Sequence, residues 1–252
     1  MRRMLAAVAI VVALCSARAT AEPLKVLTTG AFREIVTQVA AEHERATGER
    51  ISVLGGTSGA LQKRVAGGEA FDVLVLTPAA AQALEASGQV AAGSVIPLAR
   101  TGMGVAVKAG APLPDISTTD KFRQALLAAR AVAYSDPAAG GSSGIYFDRL
   151  LERLGIADVV RAKGVRQASG YVAERLVTGE ADLAVHQVSE ILPVRGATLV
   201  GPLPEDIQNY TTYAIAVSAS SANARAARAF AAAMTSPQAA QVMTRYGMSP
   251  PR

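Results

Sequence analysis

ISVLGGTSGALQKRVAGGEAFDVLVL, residues 51–76, reads as strand, turn, helix and strand in succession. Ile51 to Leu54 is a short apolar run. Ser58 is of the type that caps a helix N-terminus. Leu61 and Val65 lie four residues apart and so share one helix face. Gly67 and Gly68 stop the helix, and Phe71 to Leu76 predicts the next strand. The same grammar holds on both sides. Upstream, Leu24 to Thr28 reads as a strand, and Phe32, Ile35, Val36, Val39 and Ala40 recur at helical spacing before Gly48. Downstream, Pro78 opens a helix that Gly88 closes. Alternation of this kind argues for an α/β chain with a mostly parallel sheet and helices on both faces.

The pattern restarts at Gly102 to Val107. A Pro-rich turn at Pro112 and Pro114 follows, then a helix through Phe122, Leu126 and Ala129 and a strand at Ala131 to Ser135. Ile145 to Leu154 makes a helix ended by Gly155, and Val165 to Gln167 a short strand. Ser169 is placed to cap a helix running through Tyr171, Val172 and Leu176. Ala181 to Gln187 and Tyr210 to Val217 are strands, and helices at Asn223 to Met234 and Gln238 to Tyr246 end the chain. Two α/β units of similar size are the natural parse.

The N-terminus has a different character. Arg2 and Arg3 precede an apolar run from Leu5 to Leu14 and then Ala19-Thr20-Ala21, the order of a secretory signal peptide over residues 1–21. Ten apolar residues are too few to span a bilayer, which takes ~20. Leu14 stands before Cys15 where a lipoprotein signal wants a small residue, so the leader reads as cleaved rather than lipid-anchored. The leader holds three of the 25 basic residues and no acid, so the net charge falls from +5 to +2 in the mature chain. Cys15 is the single cysteine, so the mature chain has no disulfide scaffold, thiol chemistry or Cys-ligated metal. No stretch joins Lys or Arg to aromatics, which argues against nucleic acid as a partner. With no Trp, the core is built from Ala, Val, Leu and Ile.

Three Gly/Ser/Thr loops stand where a strand ends and a helix begins: LTTGAF (27–32), GGTSGAL (55–61) and DPAAGGSSGIYF (136–147). A helix N-terminus has unpaired N–H groups and a partial positive charge, and small residues let an anion approach it. In open α/β sheets ligands bind beyond the carboxyl ends of the strands. Two loops belong to the first unit and one to the second, so a small anion is expected between them, held by Thr29, Gly30, Ala31, Thr57, Ser58, Ser142 and Ser143.

Residues 24–35, 51–76, 177–190 (VTGEADLAVHQVSE), 201–217 (GPLPEDIQNYTTYAIAV) and 236–248 (SPQAAQVMTRYGM), in this order, resemble the periplasmic molybdate-binding proteins of ABC importers. The resemblance implies a two-lobe type II periplasmic binding protein fold. One lobe would comprise 22–101 plus 214–252 and the other 102–213, with crossings near Arg100–Met103 and Thr211–Tyr213. It implies a periplasmic monomer that closes on a small anion and delivers it to an ABC permease, with no cofactor and no resident metal. The family serine of the second loop matches Ser58, the third-loop backbone donor Ser143, and the next helix start Ser169. Two positions depart, since the first-loop serine is Ala31 here and the family tyrosine lines up with Gln187. With both hydroxyls gone molybdate itself is in question. Thr29, Ser142, His186 and Gln187 are available to shape the pocket for a different anion, such as a small carboxylate.

Two other functions fit parts of the sequence. Gly140 to Gly144 satisfies G-x-S-x-G, and Asp182 and His186 follow Ser142 in the order of a hydrolase triad. Against it, the preceding strand ends at Ser135, too early for a nucleophile elbow, so the chain reads as a binding protein rather than an enzyme. A ligand sensor uncoupled from transport is the other. No His pair at ligand spacing and no calcium-loop cluster points to a metal. Arg33 reads as a solvated surface residue of the first helix.

Overall fold

A computed structural model describes residues 22–251; the signal-peptide reading of 1–21 lies outside them. In chain order the regular elements are β1 (Leu24–Thr29), α1 (Arg33–Thr47), β2 (Ile51–Gly56), α2 (Ser58–Ala66), β3 (Val73–Leu76), α3 (Pro78–Ala86) and β4 (Ile96–Lys108). Then come α4 (Thr119–Ala128), β5 (Val132–Ser135), α5 (Ser142–Arg153), α6 (Ala157–Ala162), β6 (Gly164–Gln167), α7 (Glu174–Val177), β7 (Leu183–Gln187) and α8 (Val188–Ile191). The last are β8 (Ala197–Pro202), β9 (Tyr210–Val217), α9 (Ala224–Met234), α10 (Pro237–Arg245) and β10 (Met248–Ser249). Among the described residues no helix is long and apolar enough to cross a membrane.

The strands run in the order β2-β1-β3-β9-β4-β7-β5-β6, with β8 and β10 also on β4. The wings are parallel: β1 with β2 and β3, and β5 with β6 and β7. The middle is antiparallel, because β4 and β9 carry the chain between the two α/β lobes. Up to Gly102, β4 pairs with β9; from Met103 it pairs with β7, and from Gly104 also with β8.

Alternation along the strands separates the core into layers. Val73 and Val75 face one cluster with Val26, while Leu74 and Leu76 face another with Leu27. Successive side chains on a strand point to opposite faces, so helices cover both sides of the sheet. In the second lobe Val132 and Tyr134 face the large side chains of α5, while Ala133, Ala106 and Ala184 form a shallow face against Val172, Leu176 and Ile191. The buried stripe of α1 is the expected Ile35, Val36, Val39 and Ala40, and Gly48 ends it in left-handed backbone. The C-terminal helices return to the first lobe, where Phe230, Met234, Val242 and Met243 join that stripe.

Two local expectations are corrected. Ser58 is the first residue of α2 rather than its cap; Thr57 caps it, its hydroxyl accepting the Ala60 N–H at 3.1 Å. Both residues have a capping hydroxyl, and only Thr57 has the extended backbone that a cap needs. Ser169 caps no helix either: α7 begins at Glu174, and Ser169 sits in a bend where its carbonyl accepts the Gln167 side-chain amide at 2.7 Å.

Candidate functional site

A cleft of about 340 Å³ opens where the carboxyl ends of β1, β2, β5 and β7 converge. Its lining contains all nine residues singled out in the sequence: Thr29, Gly30, Ala31, Thr57, Ser58, Ser142, Ser143, Ser169 and Gln187. Their positions follow from the strand ends. Thr29 is the last residue of β1, Ser58 and Ser142 begin α2 and α5, and Gln187 ends β7. As first-turn residues, Ser58, Ser142 and Ser143 have backbone N–H groups without intrahelical acceptors. The glycines admit close packing here. A Cβ on Gly144 would come within 2.4 Å of the Ser135 carbonyl, so only glycine lets α5 start directly against the end of β5.

Side chains hold one wall in register. Tyr213 donates to Gln187 Oε1 at 2.8 Å, and Gln187 Nε2 donates to Ser142 Oγ at 3.2 Å. Burial pushes the Tyr213 hydroxyl up from its ordinary value, so it stays a donor. Two polar atoms of the lining are buried without any partner: Thr29 Oγ1 and His186 Nδ1. Unmade hydrogen bonds of this kind cost ~1–3 kcal/mol each, and a ligand that supplies them recovers that. Arg33 is the single arginine or lysine in the lining and is exposed at the mouth, alongside Gly55.

The lobes meet across the cleft. Gly59 N–H donates to the Gly140 carbonyl at 3.2 Å, the Thr57 hydroxyl donates to the Ala139 carbonyl, and the Tyr171 hydroxyl donates to Glu34 at 3.0 Å. Glycine at 59 and 140 lets the two backbones come this close, since a Cβ on Gly59 would lie 3.2 Å from Gly140 Cα.

The sequence reading passed over Glu190. It lies one turn after His186, and its Oε2 is 3.5 Å from His186 Nε2. A Cβ on Gly30 would fall 2.2 Å from Glu190 Oε1, so the glycine of the first loop makes room for this carboxyl. Burial pushes the Glu190 carboxyl up to about 8 and the His186 imidazole down to about 4. The signal available was the i, i+4 spacing in HQVSE, which counts only once a helix is seen to start at Val188. Four residues are too few for a periodicity argument.

The hydrolase constellation does not assemble. Asp182 pairs with Arg130 at 3.0 Å just before β7, and four residue steps along the strand separate it from His186, ~13 Å. Ser142 Oγ is held by Gln187 and Thr211 rather than by an imidazole. His43 lies far off, against Phe230 and Glu49.

The model of a family described as bacterial extracellular solute-binding protein matches residues 24–249. An aconitate isomerase of Pseudomonas sp is 36% identical over 233 residues, covering 90% of this chain and 87% of that relative. The periplasmic molybdate-binding protein of Azotobacter vinelandii shares the fold with a TM-score of 0.75 at 22% identity, over 91% of this chain and all of that one. A sulfate-binding protein of Mycobacterium tuberculosis does so at 0.68 and 19%, over 90% and 86% of the two chains.

Proposed function

The chain belongs to the bacterial extracellular solute-binding protein family, and from that premise we propose that it captures a small organic polycarboxylate between its lobes. It acts in the periplasm as a monomer, hands its cargo to an ABC permease, and needs no cofactor. Residues 22–101 with 214–252 close on 102–213 about the strand crossings. The observation that carries this reading is the pair of buried, partnerless polar atoms, Thr29 Oγ1 and His186 Nδ1, in residues that line one cleft from opposite lobes.

The donors suit several carboxylates better than one compact tetrahedral anion. They are spread from Thr29 and Ser58 on one side to Ser142, Ser143, Ser169 and Gln187 on the other, with Arg33 at the mouth. Ala31 offers no hydroxyl, and Gln187 is tied to Tyr213 and Ser142. Glu190 is compatible with an anion because it is protonated at neutral pH. The relative named for aconitate points to the same ligand class.

Thermal denaturation with cis-aconitate, trans-aconitate, citrate, tricarballylate, molybdate and sulfate tests the reading. A ligand at ~100 times its Kd adds about 2.7 kcal/mol of stability, and a polycarboxylate is expected to do so. Stabilisation by molybdate or sulfate alone, or by none of the six, would overturn it.

A further inference from the structure

His186 and Glu190 are the part of the cleft that binding alone does not explain. Capture of an anion calls for donors, and a carboxyl group in the wall is a hazard once ionised. Yet Glu190 is nearly buried, faces the cleft, and is given its place by Gly30 on the opposite lobe. His186, on the strand just before it, keeps Nε2 3.5 Å from the carboxyl, beyond the usual ~2.7–3.2 Å of a hydrogen bond. Its Nδ1 has no partner. Neither group is locked into a structural bond, and both line the cavity.

Resting on the polycarboxylate reading of the cleft, we propose that Glu190, assisted by His186, is a proton-transfer centre that shifts the double bond of a bound unsaturated polycarboxylate. An alkene beside a methylene group, as in aconitate, is the required substrate class. Ionised Glu190 removes a methylene proton, and the C–H electron pair becomes the new C=C bond. The old π pair moves to the far alkene carbon, which takes the proton back from Glu190. Protons and electrons balance within the substrate, and the enzyme carboxylate is regenerated. Charge that develops on the substrate carboxylates is met by Arg33 and by the first-turn N–H groups of Ser142 and Ser143, donors already fixed in place.

The surroundings suit this role. Apart from His186, the titratable groups that act on this corner are Tyr213 of β9 and Tyr171 from the loop before α7, with Glu34 and Arg33 of α1 beyond Tyr171. Both tyrosine hydroxyls are held protonated by burial, so they add no charge beside Glu190. Its carboxyl, raised to about 8, stands near working pH, where a general base is most effective.

The test is proton NMR of the full protein with cis- and trans-aconitate in D2O, beside calorimetric titration with tricarballylate, a saturated analogue. The expected result is interconversion of the isomers, with a rate that rises up to about pH 8. Glu190→Gln is expected to lose at least ~100-fold in rate while its affinity for tricarballylate stays within about threefold. His186→Asn is expected to slow turnover less than Glu190→Gln does and to move the inflection of the pH profile, which a merely structural histidine would not do. Glu190→Asp, one methylene shorter, should also be slowed, and it serves if the amide variant does not fold. Wild-type protein that binds tricarballylate but neither isomerises aconitate nor exchanges its carbon-bound protons overturns the proton-transfer centre and leaves the binding reading intact. Full turnover in Glu190→Gln overturns the assignment. Failure to bind any polycarboxylate overturns both.

Discussion

Glu190 and His186 show how burial sets the chemistry of single residues. An ordinary carboxyl is ionised above 4.5, whereas Glu190 keeps its proton to about 8. The folded protein therefore binds one more proton than the unfolded chain across that window. Its stabilising contribution is complete below 4.5 and is lost as pH rises through about 8. His186 has the opposite sign: lowered from 6.5 to about 4, its contribution is present above 6.5 and lost as pH falls through about 4. The two cancel between 4.5 and 6.5. What remains is a loss of stability from about pH 6.5 to 8, with a slope approaching ~1.4 kcal/mol per pH unit. Urea midpoints across this range are expected to fall for the wild type and to stay level in Glu190→Gln. Equal slopes in the two proteins would mean that Glu190 is not held neutral. At this scale the nine cleft residues were legible because Gly, Ser and Thr cluster at strand ends. Glu190 was not, because its role depends on a glycine 160 positions earlier in the chain.

Among the elements, α2 and α5 matter most, because their first turns face each other across the cleft. The contact between Gly59 and Gly140 leaves no room for a side chain. Gly59→Leu puts a good helix former into α2, so the fold should hold to within ~1 kcal/mol. The added side chain is expected to wedge the lobes and weaken tricarballylate binding by about tenfold or more, equivalent to ~1.4 kcal/mol. Calorimetric titration and urea denaturation separate the two effects. Unchanged affinity would show that this contact plays no part in the binding conformation. Elements with a clear apolar period, such as α1 and α5, were readable from sequence, and so were strands bounded by glycine. The short ones, α6, α8, β8 and β10, were not. α6, α8 and β10 hold too few residues for a period to emerge, and β8, only half-buried along its length, has no alternation to read and is placed by its pairing with β4.

For the whole molecule, the decisive feature is that β4 pairs with β9 up to Gly102 and with β7 from Met103, so paired strands rather than a loose linker join the two lobes. Closure on a ligand is expected to bring the radius of gyration measured by small-angle scattering towards ~17 Å, the value for a compact chain of this length. No contraction on adding saturating tricarballylate would argue against hinge closure. The sequence by itself determined the α/β alternation, the two lobes and the loops that form the cleft. Those features are written in patterns a few residues to a few turns long, where periodicity, caps and glycines act locally. Only the tertiary structure decided that Thr57 rather than Ser58 caps α2, that Asp182 and His186 stay apart, and that a buried carboxyl faces the cleft. Each of these depends on which distant segments are packed together, because burial and distance are properties of the folded chain.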